Sequence, residues 1–309
     1  MSAEFLVAIV YAIVLVATPI LLAGLGELVV EKSGVLNLGV EGMMLIGAVT
    51  GFAVTSLSGN AYLGVLAAAF AGSAASMIFG FLTLTLSANQ VATGLALTIF
   101  GGGFSALAGK SFLGKTVPAF TQLFPTELAT HPIWRVIFGY SPLVYLSLIM
   151  CVGIAWFLKR TRAGLILRAV GENDLSAHSI GYSVIGVRYL AVAFGGAMAG
   201  IAGSMFSLVL TPIWAEGLTA GRGWIALALV VFSAWKPYRL LVGAYIFGAV
   251  MTLEVHAKAA GGVFSALPSE FWAALPYLAT VLVLVIISLR RGSSSGAPAC
   301  LGRPFIPSA

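Results

Sequence analysis

Residues 42–109 read GMMLIGAVTGFAVTSLSGNAYLGVLAAAFAGSAASMIFGFLTLTLSANQVATGLALTIFGGGFSALAG, 68 residues without an Asp, Glu, Lys or Arg. One helix crossing a bilayer needs about 20 apolar residues, so this stretch holds three crossings. Its apolar positions run on rather than alternate, and backbone amides in hydrocarbon must be satisfied within a segment or a closed barrel, so helices are the expected form. The pattern extends to both sides. Of the 309 residues 60% are hydrophobic and 8% are charged, against about a quarter charged in a soluble domain. The fold class is therefore an all-α polytopic integral membrane protein with about nine crossings (eight to ten) in the lipid bilayer.

Apolar runs bounded by Gly, Ser, Asn or charge predict helices near 5–26, 36–57, 61–86, 90–108, 142–158, 188–211, 220–235, 239–256 and 270–289. The run from Phe5 to Gly26 has no Lys or Arg ahead of it and reads as a spanning helix rather than a cleaved signal. One transmembrane domain is expected over 1–291. The segment 292–309, GSSSGAPACLGRPFIPSA, is polar and rich in Ser, Gly and Pro, and disorder is expected there. Cys151 and Cys300 are too few and too far apart for a metal site or a disulfide framework.

A net charge of +6 would suggest nucleic acid for a soluble protein, but here the basic residues flank the apolar runs, and topology explains them without nucleic acid. With nine crossings the termini lie on opposite sides. An internal C-terminus places Lys32, Lys159, Arg160, Arg162, Arg168, Arg188, Lys236, Arg239, Arg290, Arg291 and Arg303 in the cytoplasm. Lys110, Lys115, Arg135, Arg222 and Lys258 then fall outside, and the N-terminus is external. The external loop 109–141, with its prolines and aromatics, is expected to lie at the membrane interface. The loop 159–188, KRTRAGLILRAVGENDLSAHSIGYSVIGVR, is internal, basic at both ends and expected to hold a short helix.

Small residues mark helix packing. In AFGGAMAGIAG, Gly195, Ala199 and Gly203 form one ridge and Gly196 and Gly200 another; Gly72, Ser76 and Gly80 form a third. Glu27, Glu31, Asn37 and Glu41 fall close to or within hydrocarbon. Carboxylates at that depth face an interior cavity or a partner, unless these four lie at the interface and cap the helix that starts near Asn37. Asn89 and Gln90 form a polar break between two long helices, fit for a turn or for lining a pathway. Glu254 and His256 admit either a proton relay or an interfacial pair. The phosphate-loop ending AGKS at 108–111 is a decoy, since Phe104 stands where the first glycine is required. With no nucleotide fold, catalytic cluster or metal-ligand set in view, no enzymatic activity or cofactor is expected of this chain, and active transport would draw its energy from a partner.

The stretches GELVVEKSGVLNLGVEGMMLIGA at 26–48, NQVATGLALT at 89–98 and RAVGENDLSAHSIGYSVIGVRYLAVAFGGAMAGIAG at 168–203 resemble membrane permease subunits of bacterial ABC importers. The branch is that of ribose, other simple sugars and branched-chain amino acids, nucleoside permeases in particular. On its residues alone, 168–184 is either a solvated amphipathic loop or a docking helix, with Gly171, Ala177 and Gly181 small enough for close approach and Arg168, Glu172 and Asp174 for polar contacts. The resemblance implies that Ala177 to Gly181, His178 included, form the coupling helix that docks on an ATPase, with Asn173 beside it. It also implies a second homologous permease, an ATPase subunit that uses ATP and Mg, and an extracytoplasmic substrate-binding lipoprotein. Nucleoside import across the cytoplasmic membrane is the function expected on this basis; the polar residues Asn37, Glu41, Asn89 and Gln90, from their own placement, are the candidates for lining the path. Ribose or another simple sugar, or a proton-coupled carrier working through Glu254 and His256, are the alternatives.

Overall fold

A computed structural model describes residues 3–118, 120–129, 132–260, 271, 274, 275, 278, 281, 285 and 296–306. The helices are α1 (Ala3–Lys32), α2 (Val40–Ser58), α3 (Ala61–Gly80), α4 (Gln90–Gly109), α5 (Pro132–Phe138), α6 (Pro142–Arg160), α7 (Arg162–Glu172), α8 (Asp174–Ser179), α9 (Val184–Met205), α10 (Arg222–Phe232) and α11 (Pro237–Ala260). Two of them run on in a π-helical turn, α3 through Phe81–Thr85 and α9 through Phe206–Leu210.

Many of the starts are written locally. Asn60, Asn89, Thr161, Asn173 and Ser183 each accept a backbone N–H from the first turn of α3, α4, α7, α8 and α9, which satisfies one of the orphan donors there. Pro142 opens α6, where a missing N–H costs nothing.

Among the described residues six helices are long and apolar enough to cross a membrane: α1, α2, α3, α4, α6 and α9, the third and last with their π turns. The expected spanning helix at 220–235 is a shorter object. α10 has 11 residues, about 16 Å of helix against a hydrocarbon core of about 30 Å. The helix expected at 239–256 lies within α11. That expected at 270–289 lies mostly outside the described residues, so nine crossings are not reproduced among them. The first helix extends past Gly26 to Lys32, which carries Glu27 and Glu31 onto α1.

α9 stands in the middle of α1, α2 and α3. A Cβ at Gly196 or Gly200 would collide with α3 at Gly72 and Ala68, one at Gly195 with Val30 of α1, and one at Gly203 with the Met44 carbonyl of α2. Ala199 is buried beside them. Close backbone approach of this kind is how helices associate where lipid is as apolar as leucine. Leu66, Phe70, Ile99, Leu107, Ile149 and Trp156 point outward and are exposed, as a lipid-facing belt requires.

The bundle has two ends. Lys32, Gln90, Arg160, α7, α8 and the start of α9 share one, called here the Lys32 end. At the other, the Ser58 end, Tyr11 on α1 donates its hydroxyl proton to the Gly139 carbonyl at 3.0 Å, and α5 lies beside α1.

Disorder was expected from 292 onward, but residues 296–306 pack across the Lys32 end. Cys300 N–H donates to the Gly171 carbonyl at 2.9 Å and Gly302 N–H to the Gly34 carbonyl at 3.1 Å. Lys32 Nζ donates to the Gly296 carbonyl at 2.7 Å, and Phe305 joins Val170, Ala177 and Val184 in a small apolar cluster. A polar composition does not prevent order when a scaffold supplies partners for the backbone.

Candidate functional site: a short helix held inside the bundle

Linker 33–39 turns back from the Lys32 end into the bundle. Gly34 sits at φ +91, a left-handed conformation that suits glycine. Leu36 N–H donates to Gln90 Oε1 at 2.8 Å, Asn37 N–H to Glu27 Oε1 at 3.1 Å, and Gly39 N–H to Asn37 Oδ1 at 2.9 Å. Glu27, Asn37 and Gln90 are buried. Glu27 Oε2 and Gln90 Nε2 have no hydrogen-bond partner among the described residues. Asn89 is exposed and caps α4, accepting Ala92 N–H at 3.0 Å.

The linker delivers α2 to the interior. Gly42 lies against the α4 backbone at Leu97, seven residues beyond Gln90 and so about 10 Å in from the Lys32 end. There Glu41 accepts three hydrogen bonds: from the Thr219 hydroxyl at 2.5 Å, Gly221 N–H at 2.8 Å and Gly223 N–H at 2.6 Å. A carboxylate at a helix N-terminus satisfies orphan donors and opposes the positive end of the helix dipole. Of the two readings of these acids, burial against a partner is the one Glu41 fits. Glu41 is in the first turn of α2 but caps the distant α10.

The far end of α10 is held by the other carboxylate. Trp235 Nε1–H donates to Glu31 Oε2 at 2.5 Å, and Lys32 Nζ stands 5.9 Å from the indole centroid, within cation–π range. Ala234 and Trp235 sit at φ +49 and +55, conformations that cost side-chain-bearing residues energy and persist only where neighbours impose them. α10 is thus clamped between Glu41 at its start and Glu31 just past its end.

Residues 211–221 bring the chain to this point from the Ser58 end. Val117 N–H donates to the Pro212 carbonyl at 3.2 Å, Ile213 pairs with Thr116, and Trp214 fills the space beside Gly109. The strand of chain then descends with Glu216, Gly217 and Ala220 exposed to reach Thr219 at Glu41. An unwound stretch feeding a half-length helix is tolerated at membrane depth only where protein or a cavity surrounds it. Transporters use such discontinuous helices to form their sites.

At the Lys32 end the loop 159–188 contains two helices, α7 and α8. Ala177 and Gly171 face inward: Ala177 is 2% exposed, and a Cβ on Gly171 would strike the Lys32 carbonyl. Gly181 lies on the surface at φ +92 with open space around it. Glu172, Asn173 and His178 are exposed and Arg168 is half-buried. Leu175 and Ile180 present 53% and 71% of their surface, two apolar side chains beside the exposed Ser176, His178 and Ser179. Glu254 and His256 are on α11, and their side chains lie outside the described residues.

The sequence reading placed a break between 211 and 220 but missed the half length of the helix that follows, the clamp residues Thr219 and Trp235, the exposed Glu216 and the buried Arg188. The signal for the break was the run TPIWAEGLTAGRG, whose Pro and Gly residues mark a turn.

The chain is 39% identical over 316 residues to a candidate glucose ABC transporter permease of Haloferax volcanii, with 94% of each chain covered. It is 30% identical over 318 residues to a guanosine ABC transporter permease of Bacillus subtilis, with 98% of each covered. To a nucleoside ABC transporter permease of Lactococcus lactis it is 27% identical over 290 residues, 90% of this chain and 91% of the relative. Residues 9–287 match the family described as branched-chain amino acid transport system / permease component. With matched residues running from the start of α1 past α11, the chain belongs to this family of ABC transporter permease components.

Proposed function

We propose that the chain is one of two permease subunits that form the path of an ATP-driven importer for nucleosides in the cytoplasmic membrane. The observation that carries transport is the half-length α10, clamped inside the bundle between Glu41 and Glu31 and fed by the unwound 211–221. In this reading it is a hinge at depth, whose paired polar groups exchange partners as the path opens. Glu27 and Gln90, each with an unpaired buried polar atom, and Asn37 and Glu41 border the same region of the interior.

The Lys32 end is the cytoplasmic side in this reading. Lys32, Lys159, Arg160, Arg162, Arg168, Arg188, Lys236, Arg239 and Arg303 gather there, against Lys110, Lys115 and Arg135 at the Ser58 end, in keeping with the positive-inside rule. The N-terminus is then external and the tip of α8 meets an ATPase subunit, which uses ATP and Mg; this chain hydrolyses nothing itself. Leu175, Ile180 and Gly181 make the contact. Arg168, Gly171, Glu172, Asn173, Ala177 and His178 shape or flank it, with Gly171 and Ala177 acting from within. A second permease subunit and an extracytoplasmic binding lipoprotein complete the assembly.

Support for nucleosides comes from the guanosine and nucleoside permeases among the relatives. A second reading, a hexose such as glucose, is favoured by the 39% identity to the Haloferax relative. A nucleoside's ribose and a hexose are both polyhydroxylated rings, so the discriminating assay compares them directly. Uptake of labelled guanosine, uridine and glucose by cells carrying the whole transporter is expected to show nucleoside accumulation that unlabelled glucose does not compete. Glucose uptake without nucleoside uptake would overturn the substrate assignment and leave the permease reading intact.

A further inference from the structure

Arg188 lies near the start of α9 and is fully buried. Its guanidinium reaches three separate segments: Nε–H donates to the Ser33 carbonyl at 3.2 Å, Nη1–H to the Arg303 carbonyl at 3.4 Å, and Nη2–H to Asp174 Oδ2 at 3.1 Å. Burying a cation is costly unless its donors are matched. The planar fork of an arginine is the side chain that can match several acceptors at once. Packing alone would have been served by a leucine.

The three acceptors are not equivalent. Asp174 opens α8. Ser33 opens the linker whose far end carries Glu41 and, through it, the start of α10. Arg303 belongs to the segment 296–306. We propose that Arg188 is the joint through which a displacement of α8 reaches linker 33–39 and so the interior clamp on α10. This rests on α8 being the contact with the ATPase.

The guanidinium is rigid, so the Asp174 carboxylate and the Ser33 carbonyl are tied to one plane. α8 cannot shift by more than a fraction of a hydrogen-bond length without pulling on the linker or breaking the ion pair. The first residues of that linker are also gripped from the other side: Gly302 N–H bonds the Gly34 carbonyl and Cys300 N–H bonds the Gly171 carbonyl, while the Phe305 ring sits 5.5 Å from the His178 ring. Segment 296–306 is the strap that keeps α7, α8 and the linker in one body. A contiguous network of this kind supplies the physical link that coupling between distant sites requires. Asp174 and Arg188 act here as positioning residues, through each other and the linker.

The test uses the complete transporter reconstituted in proteoliposomes and reads uptake and ATP hydrolysis side by side. Asp174→Asn keeps the shape and removes the charge. Uptake per ATP hydrolysed is expected to fall about tenfold while hydrolysis itself stays within about twofold of the native rate. Asp174→Glu is expected to restore most of the ratio. Arg303→Ala, which leaves the backbone carbonyl in place, is expected to leave both readings unchanged. An unchanged ratio in Asp174→Asn, or equal loss of uptake and hydrolysis in a fully assembled complex, overturns the proposal. Ile180→Asp separates the two ideas. If it fails to weaken retention of the ATPase on purification, the docking reading falls whatever Asp174→Asn does; if it does weaken it, the Asp174 result bears on the joint alone.

Discussion

The Glu41 carboxylate and the Gly223 backbone N–H lie 2.6 Å apart, which ties the first turn of α2 to the first turn of α10 across 182 residues of sequence. Both groups are buried, so the bond has no water to replace it. Glu41→Ala leaves the Thr219 hydroxyl and two backbone donors unpaired, each costing about 1–3 kcal/mol. The expected outcome is a lower thermal midpoint in detergent and loss of uptake. Glu41→Gln, which keeps an acceptor oxygen, is expected to recover part of both. A fluorescence melt on the purified transporter together with nucleoside uptake checks this.

The lower clamp makes a separate prediction. Trp235→Phe keeps an aromatic ring but cannot donate to Glu31, leaving that buried carboxylate short of a partner at a cost of about 1–3 kcal/mol. Thermal stability is expected to fall by that amount, and Glu31→Gln on top of it to add little, because the two share one interaction. Additive losses in a double-mutant cycle would show that the two side chains act independently.

Glycines divide by what surrounds them. Gly200→Val places a branched side chain against the Ala68 carbonyl of α3, and no rotamer avoids it, so folded protein is expected to be lost. Gly153→Ala on α6 meets nothing within 4 Å and is expected to be neutral or to stabilise by up to about 1 kcal/mol through helix propensity. Size-exclusion profiles of the two variants in detergent check both.

At the tip of α8, Gly181 has φ +92 and open space. Gly181→Arg adds bulk to the surface proposed to meet the ATPase and strains the backbone as well. Gly181→Asn introduces a residue that tolerates the left-handed region. Loss of uptake is expected for the arginine, with the protein still reaching the membrane, and near-native uptake for the asparagine. If both variants fail alike, backbone strain rather than docking explains the glycine.

Hydropathy made the spanning helices legible because bilayer thickness imposes a length that local composition must meet. α10 escaped for the same reason in reverse: Ala234 and Trp235 beyond its end are apolar enough that 220–235 reads as one span. The partner of Glu41 could not be read locally, since Thr219 and Gly223 lie far along the chain. Ala177 and Gly171 are small, but smallness alone does not say which way a residue faces, and both turn inward. The order of 296–306 was invisible because it depends on carbonyls that Gly34 and Gly171 present from other elements.

The most direct measurement is solute accumulation in proteoliposomes, comparing this chain alone with the complete set of permeases, ATPase and binding protein, with ATP supplied to the face that carries the Lys32 end. The expected result is nucleoside accumulation only with the complete set and only with ATP, unaffected by a proton uncoupler. Nucleoside transport by this chain alone, driven by a proton gradient, would contradict it.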